Sequence, residues 1–271
     1  MKIDDYTITT VVSDFDGTII RPGTHEPPAG FFSVVEELLK RGVQFVAASG
    51  RQYPNLKRIL APVADRIGFI AENGALVVWK GKVLHKCTIE RSLAMQLIED
   101  MKKEKDSEIL VSGEGTSYIV PRDPQYAYML EHKVKNVVSV LEDFEQVPED
   151  MLKVSIYYPG GIPAGSEKAF HKKYDGVLLA VESGNGWLDF MPRESGKGPA
   201  LQFLAGHMGF DLKQTVSFGD SENDISMLET AGMGYAMSFA REPVRRAADR
   251  ICDSVEEILW EAVRAADSEG K

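Results

Sequence analysis

The chain has 271 residues, enough to bury a large core and to hold two domains. With 44% hydrophobic and 27% charged residues it reads as an ordinary globular protein rather than a disordered one. A formal net charge of -10 without any basic block argues against nucleic acid or an anionic membrane as the main partner, while leaving room for a local positive pocket that takes a small anion.

MKIDDYTITT, at the start, lacks the apolar run of a signal peptide, and no stretch is long enough to cross a bilayer. Cys87 and Cys252 offer neither a disulfide framework nor metal-ligand spacing, so the expected location is a reducing cytoplasm. In chain order, TTVVS (9–13) reads as a buried strand and is followed by a Gly/Pro loop, RPGTHEPPAG (21–30). FFSVVEELLKRG (31–42) has helical spacing at Phe31, Val34, Val35, Leu38 and Leu39, with Gly42 just past its end. VQFVAA (43–48) is a second strand, YPNLKRILAPVA (53–64) a helix, and RIGFIAE (66–72) a third strand. Strands alternating with helices imply parallel pairing, hence an α/β protein with a doubly wound, Rossmann-like sheet.

The pattern changes at ENGALVVWKGKVLHK (72–86), where Asn73-Gly74 signals a tight turn and Gly81 a second one between short strands. A helix (90–105), a hairpin (108–120), a helix (124–136), a strand (151–158), a helix (166–174) and a last hairpin (176–192) then form a separate α+β layer. After Pro192 the alternation returns. GPALQFLAGHMG (198–209) is a helix, QTVSFGD a strand, SENDISMLETAG a helix, MGYAM a strand, and two closing helices follow. The expected organisation is a core in two parts, 1–81 and 191–271, interrupted by an inserted domain at 82–190.

Three apolar strands end on polar residues beside a glycine: at Asp14, at Ser49-Gly50-Arg51 and at Gly219-Asp220. Open α/β sheets bind ligands outside the carboxyl ends of their strands, so these ends are expected to meet. In DFDGT, Asp16-Gly17 can be a plain turn with Asp14 capping it. Alternatively Asp14 attacks an electrophile while Asp16 transfers protons, and Mg²⁺ relieves the repulsion between the two carboxylates. Asp220 and Asp224 span a helix entrance. Capping and the helix dipole account for Ser221 and Asp224, but not for Asp220 at the strand end, which points to metal binding.

Lys197, at the start of a helix in ESGKGPAL, is either a solvated surface lysine or the holder of an anion that the helix terminus also attracts. Ser49-Gly50-Arg51 is either a helix N-cap or a donor set for phosphate oxygens. Together a carboxylate nucleophile, a metal site, a lysine and a hydroxyl make a site for phosphoryl transfer through an aspartyl-phosphate.

With DFDGT, SGR, GKG and GDSENDISML in this order, and with AENGA and AGMGYAM beside them, the sequence resembles the haloacid dehalogenase superfamily, specifically its Cof-type phosphatases. The resemblance covers both flanks of the core; the insertion matches in position and element type. It implies that Asp14 is the nucleophile and Asp16 the general acid/base. Mg²⁺ is then held by Asp14, the backbone carbonyl of Asp16, and Asp220, with Asp224 close by or acting through water. Ser49, Gly50, Lys197 and Asn223 hold the phosphate, and the insertion is an α+β cap domain. Ser49 stands where members commonly carry Thr, and Ser238-Phe239-Ala240 where many show Gly-Asn-Ala. The implied activity is Mg²⁺-dependent hydrolysis of small phosphorylated metabolites, with sugar phosphates first and cofactor phosphates such as pyridoxal phosphate or FMN next. The alternatives are a phosphohexomutase-type phosphotransferase and a non-catalytic phospho-ligand-binding protein. The expected partner is a small phosphorylated metabolite, with no nucleic acid and no membrane, for a monomer or homodimer.

Overall fold

The computed structural model describes residues 1–24, 26–183 and 186–269, and the side chains of all of these except 269. It divides into two compact units, one of Met1–Gly50, Arg58–Leu84 and Gly196–Lys271, the other of Arg51–Lys57 and His85–Ser195.

The first unit is built on an eight-stranded sheet. Its order is Arg250–Cys252, Met233–Met237, Thr215–Gly219, Thr10–Asp14, Gln44–Ala48, Gly68–Ala71, Leu76–Trp79 and Lys82–Lys86. From Arg250–Cys252 to Gly68–Ala71 neighbouring strands pair in parallel, and Leu76–Trp79 turns back antiparallel. The inner strands Thr10–Asp14, Gly68–Ala71, Thr215–Gly219 and Met233–Met237 are buried along their whole length because both faces are covered, as a parallel sheet requires. Helices Lys197–Met208 and Ile225–Thr230 cover one face, where Ala200, Leu201, Leu204 and Met227 pack with Val12, Val46, Ile70 and Val77. On the other face helix Phe31–Lys40 sets Phe31 edge-on to Phe45, with ring centroids 5.7 Å apart. The α/β class and the parallel core expected from the sequence are what the molecule has.

The second unit carries a six-stranded sheet in the order Val138–Val140, Ser117–Ile119, Glu108–Ser112, Lys153–Tyr157, Trp187–Pro192, Leu178–Glu182. Helices Arg91–Met101 and Ser166–Tyr174 bury Leu97, Ile98, Met101 and Phe170 against Ile109, Val111, Val154 and Phe190 on one face. Alternation sends Glu108, Leu110, Ser112, Lys153, Ser155 and Asp189 to the opposite face, where Tyr157 stacks on Trp187 at 4.6 Å. Between the helices, burial works against the charge on Asp100. Hydrogen bonds from Lys103, Lys173 and Tyr174 outweigh it and hold the carboxyl well below the usual carboxylate range. Asp100→Asn is expected to cost about 1 kcal/mol near neutral pH, since the lysines are partly exposed. A depressed carboxyl stabilises the fold above its unfolded pKa and stops doing so as pH falls through its folded value. Urea titrations of the two proteins should therefore converge in acid.

The structure divides the chain at points other than those expected. Lys82–Leu84 stay with the core sheet as the start of its edge strand, and the second unit continues to Ser195. The second unit also takes in 51–57, for a specific reason. Gln52 is 2% exposed; its Nε2 donates to Ser117 Oγ (3.1 Å) and to the Val137 carbonyl (3.0 Å), and its Oε1 accepts the Val137 N–H (2.9 Å). Asn55 Nδ2 donates to the Val134 carbonyl at 2.8 Å. The helix expected over 53–64 spans only Tyr53–Ile59, before Pro62, which has no N–H to continue it. Gly184 and Asn185, in the last hairpin expected from the sequence, and His25, in the Gly/Pro loop, lie outside the described residues.

Candidate active site

Strand order brings the polar strand ends together. Thr10–Asp14 lies between Gln44–Ala48 and Thr215–Gly219, with Asp14 level with Ala48 and Ser13 level with Phe218. Phe15-Asp16, Ser49-Gly50 and Asp220 therefore leave one edge of the sheet side by side. The chain fills one side of the first strand and later the other, so this edge is also the topological switch point.

Asp14 is 5% exposed, and Asp14, Asp220 and Asp224 each place a carboxylate oxygen within 4.8 Å of the other two. Lys197, 1% exposed, enters this cluster from the start of its helix, and its Nζ donates to Asp14 Oδ1 and Asp224 Oδ1, each at 2.6 Å. The surface-lysine alternative does not describe it. Burial disfavours the ammonium, yet Asp14 and Asp224 more than offset that and raise its pKa. The Asp14 carboxyl is pushed well above the ordinary range, first by desolvation and then by the charge of Asp224, against the pull of Lys197. Burial raises Asp220 as well, opposed by a hydrogen bond from Thr18.

Three carboxylates facing one ammonium leave the cluster negative, and Asp14 Oδ2 is buried without a hydrogen-bond partner. An orphaned acceptor among oxygen donors suits a hard cation, and it suits an electrophile. The surrounding loops are shaped to this cluster. Gly17 has φ 95°, and a Cβ there would lie 2.4 Å from Asp220 Oδ2. Thr18 Oγ1 donates to Asp220 Oδ1 at 2.8 Å, and Ser221 Oγ to Asp220 Oδ2 at 3.0 Å. Asp224 Oδ2 accepts the backbone N–H groups of Asp220 and Ser221, both at 3.0 Å. Asp224 thus serves the backbone at this helix entrance and the lysine at once.

Asp16 is exposed, and its Oδ2 accepts a hydrogen bond from the buried Ser49 Oγ at 3.4 Å. Asn223 Nδ2 donates to Asn73 Oδ1 at 2.9 Å, and the Asn73 N–H donates to the Ser49 carbonyl at 3.0 Å. The residues expected to act on phosphate and metal thus fall in the first unit: Asp14, Lys197, Asp220 and Asp224 in one cluster, Asp16 on Ser49, and Ser49-Gly50 joined to Asn223 through Asn73, whereas Arg51 of the Ser49-Gly50-Arg51 set belongs to the second unit. Thr18 and Asn73 were not singled out for the site. Their motifs, DFDGT and AENGA, are visible in the sequence, but the residues they hold lie 202 and 150 positions away.

The family model described as haloacid dehalogenase-like hydrolase matches residues 11–259. The 5-amino-6-(5-phospho-D-ribitylamino)uracil phosphatase YbjI of Escherichia coli is 26% identical over 242 residues, 89% of each chain. The crystal structure of SMU.1108c from Streptococcus mutans superposes with a TM-score of 0.80 at 26% identity, covering 97% of this chain and all of that one. That of the subclass IIB sugar phosphatase BT4131 gives 0.79 at 22% identity, covering 94% and 98%, a likeness of fold. The chain belongs to the haloacid dehalogenase-like hydrolase family, as an enzyme of its phosphatase group.

Proposed function

We propose that the protein is a Mg²⁺-dependent phosphatase of small phosphorylated metabolites, with sugar phosphates and ring-bearing phosphate esters as the first classes to try. The observation that carries this is Asp14 Oδ2, buried and without a partner, on a carboxylate whose other oxygen is held by Lys197. The relatives' names support the substrate classes: one acts on a ribityl phosphate attached to a uracil, and one is a sugar phosphatase.

In this reading an Asp14 oxygen attacks phosphorus, the Asp14–phosphorus bond forms, and the bond from phosphorus to the leaving oxygen breaks. Asp16, exposed and tied to Ser49, gives its proton to that oxygen. Asp16 then takes a proton from water, whose oxygen attacks phosphorus. Orthophosphate leaves and the Asp14 carboxylate is restored. Lys197 balances the charge that the phosphoryl oxygens bring, while Ser49, Gly50 and Asn223 donate to them. Asp14, Asp220 and the Asp16 carbonyl would hold Mg²⁺, with Asp224 reaching it through water, since its own oxygens already accept from Lys197 and two backbone N–H groups. Mg²⁺ supplies charge neutralisation at the transferring group.

Hydrolysis of para-nitrophenyl phosphate should fall at least about a hundredfold after chelation of divalent ions and return with Mg²⁺. Across a panel of phosphate esters, orthophosphate released should equal substrate consumed. Turnover indifferent to chelation would remove the metal from the proposal, and isomerisation without release would make the protein a mutase.

A further inference from the structure

The turn Glu72-Asn73-Gly74, between strands Gly68–Ala71 and Leu76–Trp79, has three consecutive residues with positive φ: 50°, 55° and 96°. Glycine takes this conformation freely, asparagine less so, and glutamate rarely. Such backbone persists where its surroundings over-determine it, and it gathers at functional sites. Here the surroundings are three loops of the phosphate site. The Asn73 N–H holds the Ser49 carbonyl at 3.0 Å, and a Cβ on Gly50 would lie 2.8 Å from Asn73 Oδ1. Asn223 Nδ2 donates to the same Oδ1 at 2.9 Å. A Cβ on Gly74 would lie 2.2 Å from the carbonyl oxygen of Gly196, the residue before Lys197. Asn73 is buried among them.

Asn223 Oδ1 is buried with no partner. Turning the Asn73 and Asn223 amides together by a half-rotation keeps the bond between them, now donated by Asn73 Nδ2, and places Asn223 Nδ2 where Oδ1 stood. An anionic oxygen needs a donor at that place. We propose that Asn73 is a positioning residue of the phosphatase: it fixes the Ser49-Gly50 backbone and sets the Asn223 amide so that Nδ2 faces the phosphoryl oxygens. This rests on the phosphatase reading above and adds to it a residue that touches neither phosphorus nor the metal.

The test uses N73G, N223A, the double variant N73G/N223A, and N73D. Glycine keeps the left-handed backbone and removes only the amide. N73G should melt close to wild type, yet lose about tenfold in kcat/KM for para-nitrophenyl phosphate, the factor carried by one hydrogen bond to a charged group. Competitive inhibition by orthophosphate should weaken by a similar factor. The double variant should be no worse than N223A, because Asn73 acts through Asn223. N73D tolerates the same backbone but has no Nδ2 to donate, and it should show the loss as well. Wild-type kcat/KM and orthophosphate inhibition in N73G or N73D overturn the proposal, as do losses that multiply in the double variant. A wild-type protein without turnover overturns the phosphatase reading itself, a result separable from either.

Discussion

Asp14→Asn should abolish turnover, by at least about a thousandfold, without lowering the melting temperature. The amide has the shape of the carboxylate but cannot form the acyl phosphate. Lys197 would keep Asp224 as its counter-charge at 2.6 Å, so no buried ammonium is left alone. The native carboxylate is held where its charge is unwelcome, by desolvation and by Asp224, which is why its pKa is raised. A carboxyl raised on folding stabilises most below its unfolded pKa, near about 4, and loses that contribution as pH climbs through the folded value. In divalent-free buffer the variant should therefore gain on the wild type as pH rises towards neutrality. Initial rates and thermal melts across pH measure both halves. Turnover above about one per cent of wild type would remove Asp14 from the nucleophile's place.

Lys197→Met should fail in both respects at once. It leaves Asp14 and Asp224 facing each other, buried, with no cation between them. Breaking a buried pair in this way costs about 3–5 kcal/mol, because the remaining charge stays desolvated. Activity should drop by about a hundredfold or more, the scale of one preorganised electrostatic donor. The double variant D14N/K197M separates the two effects. Replacing one stranded carboxylate should restore part of the stability and none of the turnover. Denaturant titration and initial rates decide it, and a K197M protein as stable and active as wild type would contradict the geometry.

Where chemistry was local in sequence, it was legible. DFDGT, SGR, GKG and GDSEND each combine a strand end with polar groups, and their residues do fall into connected clusters. That these strands are neighbours was an expectation only, because pairing of Thr10–Asp14 with Thr215–Gly219 spans most of the chain. Short strands went unseen for a different reason. Lys2–Ile3, Tyr6–Thr7, Val138–Val140 and Arg250–Cys252 are two or three residues long, too short for a period, and exist only through their partners. The membership of 51–57 in the second unit has no compositional sign at all, since two amides, Gln52 and Asn55, decide it.

Those two amides also bear on any attempt to cut the second unit free. Val138–Val140 is the outermost strand of its sheet, with Val137 46% and Val140 58% exposed, and Gln52 clasps the backbone of Val137 from both sides. A polypeptide trimmed to 85–195 would leave that clasp behind. It would present a bare lip of amide and carbonyl groups next to two wetted valines, an invitation to a foreign strand.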